Sequence, residues 1–81
     1  MKLELYYFEE CPYCQIVLKQ IKILGIENKI IYSNTRTNSN AKAYHLKQTG
    51  RSTVPCLYIN DKPMFESKDI SDWLAKNIKL L

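Results

Sequence analysis

Two cysteines, Cys11 and Cys14, stand three positions apart with Pro12 and Tyr13 between them, where an apolar run ends and a helical pattern begins. At the mouth of a helix the first thiol meets free backbone N–H groups and the positive end of the helix dipole, and both stabilise an anion. The second, one turn further in, is within reach of any disulfide that the first has formed. Pro12 suits the first helical turn, where its missing N–H is not needed. Such a pair can exchange disulfides or bind a metal; lying between a strand and a helix, it reads as redox. The metal alternative is a zinc site using Cys11, Cys14, Cys56 and His45, whose spacings match no usual finger or ribbon. Glu66 and Ser67 open a later helical pattern, and a helix N-terminus offers N–H donors to a carboxylate.

These groups must be positioned by a small chain. The 81 residues are read as one domain, 1–81, near the size where a core is just sufficient. Twelve Lys and Arg against eight Asp and Glu give a net charge of +4. The basic residues are dispersed, as on a solvated surface, so nucleic acid is not an expected partner. A mild positive field favours a small anionic substrate. An odd count of three cysteines argues against a secreted disulfide framework and for a reducing compartment. The N-terminal residues lack a signal-peptide pattern and no run approaches membrane-spanning length, so the expected location is cytoplasmic, with no membrane partner.

Leu3 to Phe8 reads as a strand buried on both faces. The helix after Cys11 carries Val17, Ile21 and Leu24 at helical spacing, with Ile16 and Ile23 widening the apolar face, and Gly25 ends it. Lys29–Ser33 is a second strand, parallel to the first through a right-handed crossover. A polar loop from Asn34 to Asn40 leads to a helix over Ala41–Thr49, ended by Gly50, with Ala41, Tyr44 and Leu46 as its apolar face. Val54–Ile59 is a third strand, and Asn60-Asp61-Lys62 turns it into a short strand over Pro63–Phe65. The last helix presents Ile70, Trp73, Leu74 and Ile78 on one stripe, with Ser67 as its N-cap. The order β-α-β-α-β-β-α predicts an α/β fold, a four-stranded mixed sheet flanked by three helices. Cys56 and Trp73 are assigned to the core, and His45 is given no role.

Cys11-Pro12-Tyr13-Cys14, Thr53-Val54-Pro55 and Glu66-Ser67, in that order of elements, resemble the dithiol glutaredoxins and, more loosely, the N-terminal glutathione-binding domain of glutathione transferases. The resemblance covers essentially the whole chain and implies a thioredoxin-like fold. It implies that Cys11 is a nucleophile and Cys14 its resolving thiol. It further implies a cis Pro55, behind Thr53, with the Val54 backbone pairing the cysteinyl part of glutathione as an added strand would. Glu66 and Ser67 then meet the γ-glutamyl end, Tyr13 flanks the sulfur, and Arg51 pairs the glycyl carboxylate. Each has a plainer alternative: a trans proline at a strand start, an ordinary N-cap serine, an exposed tyrosine, a solvated arginine. The pattern departs from glutaredoxins in two places. Many have Cys-Asp where Glu66-Ser67 stands, which is the transferase-like version. Many have a lysine where Phe8 stands, and Glu9 and Glu10 add two negative charges beside Cys11, which disfavour a thiolate.

The function expected on this resemblance is a monomeric, glutathione-dependent thiol–disulfide oxidoreductase acting on glutathionylated proteins and protein disulfides. It needs no tightly bound cofactor and no metal, with glutathione as reductant. The rivals are a redoxin served by thioredoxin reductase, which would not need Glu66-Ser67, and a glutathione transferase, which normally has a second, all-helical domain. A third is a dimer binding an iron–sulfur cluster through Cys11 and glutathione, against which Pro12 and Tyr13 count.

Overall fold

The computed structural model describes residues Met1–Leu81. Its strands are β1 (Leu3–Tyr7), β2 (Ile31–Asn34), β3 (Cys56–Ile59) and β4 (Lys62–Phe65), and its helices α1 (Pro12–Leu24), α2 (Ser39–Thr49) and α3 (Ser67–Lys76). The sheet order is β2-β1-β3-β4. β1 runs parallel to β2 and antiparallel to β3, with Leu5 opposite Leu57 and Tyr6 opposite Cys56. β4 returns antiparallel to β3, with Phe65 opposite Cys56. This is the four-stranded mixed sheet with three helices that the sequence predicts. No helix is long and apolar enough to cross a membrane.

Side chains alternate across a strand, and β1 uses both faces. Leu3 and Leu5 join Val17, Ile21, Leu57, Ile70 and Leu74 in an aliphatic core under α1 and α3. Tyr6 points to the other face and packs with Ala41, Cys56 and Tyr58 beside α2. The chain therefore has two unlike cores, one on each face of a single sheet.

Several elements differ from their sequence-based bounds for local reasons. Ile16 and Ile23 do not widen the apolar face of α1: they are 50% and 68% exposed. The buried stripe is Cys14, Val17 and Ile21, and Ile16 and Ile23 lie on the side of the helix away from it. β2 starts at Ile31 because Glu27–Lys29 closes a 3-10 turn first. α2 begins at Ser39, two residues before the expected start, because the Asn38 side chain accepts the N–H groups of Asn40 and Ala41. Its buried residues are Ala41 and His45, four apart, while Tyr44 and Leu46 are largely exposed. β3 starts at Cys56, after a cis Val54–Pro55 bond. The β3–β4 turn is Asn60-Asp61 alone, both at positive φ (48° and 70°), as a two-residue type I′ hairpin requires. Trp73 sits partly buried at the margin of the aliphatic core.

Cys56 is fully buried, and its thiol is pushed from 9.0 up to about 12, chiefly by burial. Below pH 9 the group is protonated in both folded and unfolded chains. Above it the unfolded chain ionises first, so stability falls between about pH 9 and pH 12. Urea denaturation from pH 8 to 11 should show this loss. Cys56→Ala should reduce its slope by one proton, about 1.4 kcal/mol per pH unit.

Candidate functional site

Cys11 is the N-cap of α1, with φ −79° and ψ 117°, and Pro12 fills the first helical position. The Cys11 Sγ accepts the Cys14 N–H at 3.2 Å, so the first thiol occupies the seat where a capping oxygen would sit. Its other neighbour is the Val54 carbonyl, 3.8 Å from Sγ, to which the thiol donates. Cys11 is 6% exposed and Cys14 is wholly buried. The Cys14 thiol is pushed from 9.0 up to about 12, first by burial, then by its hydrogen bond to Cys11 and the charge that Cys11 can carry. The two sulfurs thus differ in environment: one capped by a helix, the other sealed behind it. All three cysteines are free thiols.

Next to the Val54 carbonyl that Cys11 meets opens a cavity of about 290 Å³, which neither Cys11 nor Cys14 lines. Its lining includes all seven further residues singled out from the sequence: Tyr13, Arg51, Thr53, Val54, Pro55, Glu66 and Ser67. Phe65 and Lys68, which sequence reasoning did not name, complete it. Tyr13 is 65% exposed at the rim. The Arg51 guanidinium lies 3.6 Å from the centroid of the Phe65 ring, a cation–π contact, and has no carboxylate partner. Lys68, by contrast, is tied to Asp72 at 2.9 Å. Neither the N–H nor the C=O of Val54 is engaged by another backbone group. One free guanidinium, one carboxylate, a helix N-terminus and an open strand-like backbone suit a short peptide bearing both carboxylates and an ammonium.

Two expectations need correction. Ser67 is not the N-cap of α3 but its first residue; the cap is Glu66, at φ 76°, and it makes no side-chain capping bond. A non-glycine residue at that φ is strained, and strain of this kind collects at ligand sites. Glu10 is not a bare charge beside Cys11: its carboxylate lies 3.1 Å from Arg36, whose guanidinium also sits 4.0 Å from the Phe8 ring centroid. A cation from the loop after β2 therefore stands close to where a lysine was missed at position 8. No local pattern announces this, because Arg36 reaches Phe8 only through the β1–β2 pairing. His45, given no role, is fully buried with both ring nitrogens bonded; its one sequence signal is its place four residues after the buried Ala41.

Residues 5–79 match the family described as glutathione S-transferase, N-terminal domain. The chain belongs to that family. Of the two resemblances carried by its motifs, this is the transferase one. Solved structures with the same fold include glutathione S-transferase isozyme E7 from Drosophila melanogaster, at 27% identity and TM-score 0.73, covering 95% of this chain and 35% of that one. A second is the unclassified glutathione S-transferase 2 from the silkworm Bombyx mori, at 24% identity and TM-score 0.79, covering 96% of this chain and 36% of that one. A third is a glutathione transferase homologue from Drosophila mojavensis with bound glutathione, at 22% identity and TM-score 0.78, covering 95% of this chain and 35% of that one. The chain thus spans about a third of the length of these proteins. No curated protein sequence matches it. In this transferase N-terminal domain Tyr13, the cis-proline segment and the start of α3 meet around one cavity, and Cys11 lies against its wall at the Val54 carbonyl.

Because Ser67 caps nothing, Ser67→Ala should change unfolding free energy by less than about 0.5 kcal/mol, read by urea denaturation. A loss near 1 kcal/mol, the usual cost of removing a cap, would restore the capping role.

Proposed function

We propose that the chain is a glutathione-dependent thiol–disulfide oxidoreductase, glutaredoxin-like in chemistry, built on a glutathione transferase N-terminal domain. The observation that carries this reading is the unequal pair of thiols: Cys11 Sγ at the helix N-cap, 3.2 Å from the Cys14 N–H, and Cys14 sealed behind it. The adjoining cavity, with Arg51, the Val54 backbone, Glu66 and Ser67, supports glutathione as the second reactant. In this assignment Val54 pairs the cysteinyl backbone, Glu66 and the α3 N-terminus take the γ-glutamyl end, Arg51 takes the glycyl carboxylate, and Tyr13, Thr53 and Pro55 wall the sulfur.

The Cys11 thiolate attacks the glutathione sulfur of a glutathionylated protein. The disulfide breaks, the protein leaves as a thiolate that takes a proton from water, and a Cys11–glutathione disulfide remains. A second glutathione thiolate attacks the glutathione sulfur of that bond, releasing glutathione disulfide and regenerating Cys11. For a protein disulfide, Cys14 gives up its proton and attacks the Cys11 sulfur instead, expelling the substrate's second thiolate. Two glutathiones then reduce the Cys11–Cys14 disulfide. Once Cys11 is in a mixed disulfide it carries no charge, so part of what raises the Cys14 thiol disappears. Burial, the largest cause, stays. Cys14 is therefore a weak nucleophile near neutrality, and its attack on the neighbouring Cys11 sulfur rests on proximity.

The family match favours a second reading, in which the same cavity activates the glutathione thiol for attack on an electrophilic carbon and the product is a thioether. The deciding experiment is glutathione-coupled reduction of a small mixed disulfide, alongside conjugation of an electron-poor aryl halide and a thioredoxin-reductase control. Conjugation that persists in Cys11→Ser without any disulfide reduction in the wild type would reject the oxidoreductase.

Cys11→Ser should abolish both disulfide activities, whereas Cys14→Ser should keep deglutathionylation and lose protein-disulfide reduction. The Cys14-dependent activity should climb with pH, by up to about tenfold per unit between roughly pH 6 and pH 9, as the thiolate fraction of a high-pKa thiol grows. Ser67→Ala should lower kcat/KM for glutathione by about five- to tenfold, the worth of one ordinary hydrogen bond.

A further inference from the structure

We propose that His45, which the mechanism does not touch, is a positioning residue that holds the Thr53–Pro55 segment of the cavity from inside the fold. This rests on reading the cavity as the glutathione site. Residues Arg51 to Pro55 belong to no helix or strand, and no backbone–backbone hydrogen bond involves any of them. From Ser52 to Pro55, two hydrogen bonds hold the segment: the Cys11 thiol donating to the Val54 carbonyl, and the His45 ring to the Thr53 carbonyl. The first is lost whenever Cys11 ionises or enters a disulfide. The second persists throughout the reaction.

Its chemistry is determined by its partners. His45 Nε2 lies 2.8 Å from the Thr53 oxygen, and Nδ1 lies 2.9 Å from the Tyr58 hydroxyl. A carbonyl oxygen only accepts, so Nε2 carries the ring proton. Nδ1 of the neutral ring then accepts from Tyr58, whose phenol burial keeps protonated. One tautomer satisfies both contacts. The ring also packs against Phe65, at 5.7 Å between centroids, and Phe65 carries the Arg51 guanidinium. Thr49 adds a tie from the same helix: its Oγ1 lies 2.9 Å from the His45 carbonyl and 2.7 Å from the Arg51 carbonyl. Thr53, Phe65 and Arg51 are all in the cavity wall. The end of α2 thus supports that wall from behind.

The test uses the full chain and a pair of nearly isosteric replacements. In H45Q the amide can donate to Thr53 and accept from Tyr58; in H45M the volume is similar and both bonds are gone. KM for glutathione should stay within about threefold in H45Q and rise about tenfold in H45M, with kcat within about twofold in each. Equal KM in two folded variants would mean that the ring only fills space, and would overturn the proposal. A readout independent of glutathione is nitrogen-15 NMR of the wild type. A slowly exchanging Nε2–H on a neutral His45 supports the assignment; an Nδ1–H tautomer or an exposed, freely exchanging ring overturns it. If the wild type does not use glutathione at all, the function proposed above fails. The NMR of the variants still decides this point: Val54 and Cys56 amides that broaden in H45M but not in H45Q uphold the tether, and amides unmoved in both refute it.

Discussion

The antiparallel register of β1 on β3 is the constraint from which the site follows. Tyr6 faces Cys56, so the end of β1 and the start of β3 lie at the same edge of the sheet. The chain leaving β1 reaches Cys11, and the chain entering β3 passes through Val54 and Pro55, which is how a thiol and a carbonyl far apart in sequence come within 3.8 Å. β4 then sets Phe65 opposite Cys56, delivering Glu66 and Ser67 to the same edge. Three segments converge because three strand ends do. A slip of one residue in β3 would turn Leu57 out of the aliphatic core and carry the proline segment away from the cysteine.

Within that frame the physics separates two thiols of identical chemistry. Cys11 caps α1 and touches the Val54 carbonyl of the cavity wall, while Cys14 is fully buried, and desolvation and the neighbouring Cys11 outweigh a Phe8 backbone hydrogen bond in pushing its thiol up. The transferase N-terminal family accounts for the fold. The cysteine pair supplies the reason to assign disulfide chemistry to it. Arg36, bound to Glu10 and stacked on Phe8, shows that a charge balance read from adjacent residues alone can be incomplete at a site assembled from separate loops.

Much of this was legible in the sequence because it is written in local terms. Alternation and helical spacing indicate β1, α1 and α3, glycines mark the ends of α1 and α2, and Tyr13, the proline segment and Glu66-Ser67 do share one cavity, with Cys11 at its wall. What escaped depends on partners distant in sequence. The apolar face read for α2, Ala41, Tyr44 and Leu46, leaves His45 out, since nothing near it in sequence indicates that Tyr58 and the Thr53 carbonyl will satisfy both of its nitrogens. Serine caps helices commonly, so the sequence points to Ser67 as the cap; that the chain enters α3 through Glu66 at positive φ has no signature in composition.

The two faces of the sheet impose different tolerances on sequence drift. The aliphatic side, Leu3, Leu5, Val17, Ile21, Leu57, Ile70 and Leu74, is held by shape and volume. Such a core admits coordinated exchange among Leu, Ile, Val and Met at a cost of less than about 1.5 kcal/mol for each volume-conserving swap. The aromatic side, where Tyr6, Tyr58, Phe65 and His45 interlock, is held by directional contacts that few replacements reproduce. Divergence among descendants of this chain would therefore accumulate on one face of the sheet, leaving the other as a fossil record of the cavity wall it supports.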